Sequence, residues 1–150
     1  MDPAAAPGAK LPTGALMQYG RGGGISGETI RMTLFADGRV ERKVRNRPAP
    51  PVHVPVIRVE KLSADLASTG IFAQQDGTWK PGYQVADGVG SSLTVRDKAG
   101  AVHVFARSTG GTPPEAIERA LEIAGAFDRE VALPETPCAC QPGDPLCSCL

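Results

Sequence analysis

Four cysteines crowd the end of this chain: Cys138 and Cys140 form one Cys-x-Cys unit, Cys147 and Cys149 a second, with Gln-Pro-Gly-Asp-Pro-Leu between them. Thiolates one residue apart can share a metal ion, and the Pro-Gly spacer can turn the second pair back to complete a four-sulfur set. Such a set suits Cu(I) or tetrahedral Zn(II), so zinc or copper is the cofactor that these residues point to. Structural zinc sites more often use wider Cys spacings, and the segment has few apolar residues to preform a cage. Free thiols and disulfides made on oxidation are the competing fates, and four cysteines allow more than one full pairing.

Two covalent fates also fit the tail. Cys147-Ser148-Cys149-Leu150 satisfies the bare position rule for prenylation, with the terminal leucine favouring the geranylgeranyl type, although Ser148 is not the usual aliphatic residue. No polybasic segment lies nearby as a second membrane signal. A cysteine-rich tail behind a folded body also resembles the layout of a ribosomally made, modified peptide precursor.

The body offers weaker chemistry. Arg39, Arg42, Lys43, Arg45 and Arg47 form a basic run that could meet phosphate or an acidic partner, but no aromatic stands among them for base stacking, and a solvated hairpin face is the simpler reading. Gly20 to Gly27 superficially suggests a phosphate loop, yet a strand pattern follows it where a helix should open, and the Lys-Ser/Thr of a P-loop is missing. His53 and His103 stand apart with no patterned carboxylate or nucleophile beside them, and His103 is expected to face solvent between Val102 and Val104. No catalytic acid, base and nucleophile emerge, so a non-enzyme is expected. Trp79 and Tyr83 sit among Pro and Gly, where they can serve as anchors for a partner or as a satellite of the core.

These residues need a scaffold, and the chain has length for one domain. Of its 150 residues 41% are apolar, enough for one core, while 18 glycines and 14 prolines gather at the start, middle and end and shorten the ordered part. Sixteen basic and sixteen acidic side chains cancel, so no long-range field draws the chain to nucleic acid or an anionic membrane. No apolar stretch approaches the roughly 20 residues of a membrane-spanning helix. The opening residues lack a basic start and an apolar run, so a cytoplasmic location is expected, where thiols stay reduced, metal-bound or modified.

Residues 1–12 read as a disordered leader and 134–150 as a flexible tail, flanking a domain over 13–133. Ala15 to Tyr19 predicts a strand ending in a glycine turn at Gly20–Gly24; Ile30, Met32 and Leu34 alternate as a half-buried strand. Asp37-Gly38 then turns the chain back through Val40 to Val44. Proline from Arg47 to Pro55 predicts an extended connection or an edge, with Val56 to Val59 resuming pairing. Ser63 is expected to cap a short helix over Ala64 to Thr69 that Gly70 ends, with Leu62, Leu66 and Ile71 inward. A second hairpin joins Leu93–Val95 to Val102–Phe105. Thr112, Pro113 and Glu115 predict a capped helix whose stripe of Ile117, Ala120, Leu121, Ala124 and Phe127 covers the sheet, with Asp128 elsewhere on its circumference. The expected fold is α+β: a mainly antiparallel sheet of four to six strands, with a short helix and a longer C-terminal helix packed on it.

An early strand leading to Gly23-Gly24-Ile25-Ser26-Gly27, the late hairpin Leu93-Thr94-Val95 and Val102-His103-Val104, and a closing helix through Pro114, Ile117 and Leu121 together resemble emfourin-like domains. These are small bacterial proteins whose characterised type inhibits protealysin, a thermolysin-like metalloprotease. The resemblance spans roughly residues 15 to 128; the Asp37-Gly38 hairpin, the proline-rich middle and the cysteine tail depart from it. It implies a non-catalytic protein-binding domain, inhibitor-like, with a metalloprotease as the kind of partner. Gly23, Gly24, Ile25 and Gly27 of the glycine loop, with Trp79 and Tyr83, are the expected contacts. The rival reading is a metal-binding or redox-active protein that works through Cys138, Cys140, Cys147 and Cys149.

Overall fold

In the computed structural model the described residues are 10–23, 29–81 and 89–132. They form one α+β unit. Eight strands, β1 (Ala15–Gly23), β2 (Thr29–Phe35), β3 (Arg39–Val44), β4 (Arg47–Pro48), β5 (Val52–His53), β6 (Gly77–Trp79), β7 (Val89–Arg96) and β8 (Val102–Ser108), make a single sheet in the order β4-β3-β2-β1-β7-β8-β6, with β5 also pairing β3. Every pairing is antiparallel except β6 with β8. The antiparallel architecture is as the sequence predicts; the larger strand count comes from β4, β5 and β6, pieces of two or three residues too short to show a period.

Those pieces are the margins of the sheet. The proline-rich stretch runs along the outer edge of β3, pairing first at Lys43 and Val44 and again at Arg39 and Val40. Pro48, Pro50 and Pro51 lack an N–H, which is tolerated at a margin and not between two strands. Gly38, in the β2–β3 turn, has φ +96°, and a Cβ there would collide with the Val54 carbonyl oxygen where this margin passes. Two requirements, positive φ and close approach, converge on one glycine.

One face of the sheet is covered by two helices, α1 (Val56–Ser68) and α2 (Glu115–Ala132). Helix α1 starts two turns earlier than expected. Pro55 enters with ψ 147°, its carbonyl accepts from the Arg58 and Val59 N–H groups, and Val59, Leu62 and Leu66 bury one helical stripe. The β-branched run at Val56 and Ile57 looks strand-like, but both side chains are exposed, at 52% and 75%. Gly70, at φ +87°, ends the helix as anticipated. Helix α2 begins at Glu115, later than the Thr112 cap predicts, with the Pro114 carbonyl taking the first N–H groups.

The predicted stripe of α2 is buried, and Asp128, Gly125 and Val131 join it. Core side chains include Met17, Met32, Leu93, Phe105, Ile117 and Phe127. Among the described residues no helix is long and apolar enough to cross a membrane.

Candidate functional site

The uncovered face of the sheet carries the candidate site. Strand period places Gln18, Gly20 and Gly22 of β1 on that face, because Met17 and Tyr19 take the covered one. Register then builds rows across the sheet. Lys43, Arg31, Gly20, Ser92 and Ala106 are successive cross-strand partners on β3, β2, β1, β7 and β8. The neighbouring row runs through Thr29, Gly22, Gly90 and Ser108. On the other side, Gln18 donates from Nε2 to Thr33 Oγ1 at 3.0 Å.

Small residues in the middle and long ones at the side make a trough of about 520 Å³. Its size is that of a ligand site, though its lining is polar. Arg31 and Lys43 present their charge on this face; Arg21 and Arg107 border the trough from the covered-side row, and no described Asp or Glu lines it. Arg107 lies 3.1 Å from Glu118 on α2, whereas Arg21, Arg31 and Lys43 have no carboxylate within 4.0 Å among the described residues. Sequence reading took Gly20 to Gly24 as a turn; the structure extends β1 through Gly23, so the glycines form the floor of this face. The alternation of small polar residues at Gly20/Gly22, Gly90/Ser92 and Thr29/Thr33 was the available signal.

Of the residues singled out in the sequence, Gly23 ends β1 and pairs with Val89, which opens β7. Trp79 ends β6, half-buried against the core, at the same end of the sheet but three strands away. Gly24, Ile25, Gly27, Tyr83 and the four cysteines Cys138, Cys140, Cys147 and Cys149 lie outside the described residues. The basic run divides: Arg39 stacks on Phe35 and pairs with Glu41, Arg42 turns inward to Asp128, and Lys43 faces the trough. A pair of positive-φ residues, Arg45 and Asn46, makes the tight turn into β4.

A second polar cluster escaped the sequence reading. His103 shares the covered side with Phe105 two positions on, and is only 19% exposed, contrary to the expected solvent facing. Its Nε2 lies 2.8 Å from Asp97 Oδ2 and its Nδ1 3.2 Å from Asp76 Oδ1. Asp97 also accepts from the Ala99 and Ala101 N–H groups in the β7–β8 turn, and Asp76 from the Val104 N–H. The hydrogen bond that Asp97 accepts is the leading cause both of the raised His103 pKa and of the lowered Asp97 pKa. With a carboxylate facing each ring nitrogen, the protonated ring is favoured and the cluster joins the turn to the approach of β6. Neither nitrogen is free to take a substrate proton, and His53 lies on β5, across the sheet.

A smaller apolar hollow of about 180 Å³ lies between α1 and the sheet, below the size usual for a small-molecule site. Among the described residues no group of three or more His, Asp or Glu is placed to hold a metal ion. Comparison with known proteins found no matching family model and no matching curated protein.

Proposed function

We propose that the chain is a non-catalytic protein-binding domain that meets its partner with the uncovered sheet face and the strand ends at Gly23 and Val89. The observation that supports this reading most is the cationic trough, with no Asp or Glu among its described lining residues, on a face that neither helix covers. A two-layer domain with an antiparallel sheet commonly leaves one face to water; here that face holds Arg31 and Lys43, with no carboxylate within 4.0 Å among the described residues, beside a floor of glycine and serine. Gly23, the last residue of β1, and Trp79 lie at the same end of the sheet. A thermolysin-like metalloprotease is the partner class implied by the emfourin-like resemblance, and inhibition is the activity that goes with it. The cytoplasm is the proposed location.

The test is site-directed photo-cross-linking in cell extract. A photoreactive side chain at Ser92, on the trough floor, is expected to capture a discrete protein that the same group at Lys61, on exposed α1, does not. Equal capture at both positions overturns the reading. Titration of a thermolysin-like protease with the purified chain checks the inhibitor role separately, and unchanged proteolysis at saturating concentration sinks that part.

A further inference from the structure

Arg31 and Lys43 are direct cross-strand partners on the open face. Like charges placed opposite one another on a sheet repel, and neither side chain has a carboxylate within 4.0 Å among the described residues; Glu41, in the next row of the same face, is paired with Arg39. Arg21 and Arg107 border the same trough but belong to the covered-side row of Tyr19 and Phe105, where Arg107 pairs with Glu118 of α2, so among its described lining Arg31 and Lys43 are the cations of the open face. The pattern is a standing electrostatic cost that a bound anion would remove.

The floor beside these cations is stripped of side chains. Gly20, Gly22 and Gly90 lie on it with Ser92, Ala106 and Ser108. A Cβ would come to 3.4 Å from the Arg107 carbonyl oxygen at Gly90, 3.1 Å from Ser92 Oγ at Gly20 and 2.7 Å from Thr29 Cγ2 at Gly22, so the floor is low and closely set among its small neighbours. From β3 to β8 the trough crosses five strands, a span of roughly 19 Å at the usual interstrand spacing, or about six residues of extended chain. A polypeptide backbone can settle on glycine and serine while its side chains reach the cations. Nucleic acid fits less well: among the described residues no aromatic side chain lines the trough to stack a base, and the chain's charges balance overall.

We infer that the trough takes an extended, carboxylate-rich polypeptide segment laid across β3, β2, β1, β7 and β8, with carboxylates bridging Arg31 and Lys43. This rests on the binding reading above and names the chemistry of the partner. An arginine fork receives a carboxylate through two N–H groups, and the adjacent ammonium shares the same charge.

A fluorescent peptide alternating Glu and Ser, titrated with the full chain and followed by anisotropy, tests it. The peptide is expected to bind, a Lys-Ser peptide of equal length to stay free, and binding to weaken as salt screens the charges. The double variant Arg31→Gln/Lys43→Gln, changed at two exposed positions, should lose roughly tenfold or more in affinity while Arg31→Lys keeps most of it. No binding of the Glu-Ser peptide, equal binding by the double variant, or tighter binding of a single-stranded oligonucleotide each overturns the inference. Ser92→Trp, which fills the floor, separates the two levels. If Ser92→Trp loses the partner captured by cross-linking at Gly20 while the acidic peptide never binds, only the acidic-segment inference falls; if that capture survives Ser92→Trp, the trough is not the docking face and both fall.

Discussion

Arg42 of β3 grips Asp128 of α2 through two donors, Nε to Oδ1 at 2.8 Å and Nη2 to Oδ2 at 3.3 Å, with the two side chains 12% and 6% exposed. The pair joins the sheet to its longer helix in a place that water scarcely reaches. Removing one partner strands the other charge in low dielectric. Asp128→Ala should therefore lower unfolding free energy by about 3–5 kcal/mol in urea titration, while Arg42→Met with Asp128→Leu should recover most of that loss. A single variant within about 0.5 kcal/mol of the parent would show that the charge finds water instead.

The His103 cluster sets a pH window. Because the folded His103 pKa is raised, its contribution is complete below the unfolded histidine value of about 6.5 and is lost as pH rises through the higher folded value. Because the folded Asp97 pKa is lowered, its contribution is complete above about 3.9 and is lost as pH falls through the lower folded value. Both act between those limits. The stability difference between parent and His103→Gln should be widest there and shrink on the alkaline side, read as Tm against pH. A difference independent of pH would remove the imidazolium from the account.

Gly38 is the turn position that admits no substitute. Alanine at φ +96° bears a left-handed penalty and drives its methyl into the Val54 carbonyl. Gly38→Ala should cost about 2 kcal/mol or more and loosen the β5 margin, seen as faster amide exchange at Val54, whose N–H bonds to the Gly38 carbonyl at 2.9 Å. Unchanged exchange and stability would count against the packing described.

For the cysteine tail the expected outcome is uptake of zinc or copper by the reduced full chain, measured by elemental analysis after gel filtration. The variant with serine at Cys138, Cys140, Cys147 and Cys149 should carry none, and equal metal content in both would dismiss the four-thiolate site. Among the described residues, core side chains run from Ala15 to Val131. Deleting residues 134–150 should accordingly leave Tm unchanged and partner capture at Ser92 intact.

Long periodic segments were legible in the sequence, and short or tertiary features were not. The stripe from Ile117 to Phe127 and the alternation through Ile30, Met32 and Leu34 each repeat often enough to declare a face. Val56 to Val59 misled because β-branched residues suit a strand, while the helix is decided by burial of Val59, Leu62 and Leu66 on one stripe. His103 was misread from its two valine neighbours; Phe105, buried on the same side two positions on, was the better guide. Arg42 could not be distinguished from the other cations of its run, since its partner Asp128 lies 86 positions away. The trough was invisible for the same reason: it is made by register between strands, and only its separate small residues show in the chain.

The position of β1 has a kinetic consequence. It is the first strand in the chain yet sits at the middle of the sheet, paired with β2 next in sequence and with β7 much later, as in Met17 opposite Val95. Strands β1 to β3 and the β7–β8 hairpin can each pair locally, whereas joining them requires closing the long intervening segment that includes α1. That closure should be the rate-limiting step. Leu93→Ala, at the buried join, should slow refolding, while Leu62→Ala on α1 should chiefly speed unfolding; the reverse assignment of the two chevron limbs would place α1 docking ahead of the stitching of the sheet.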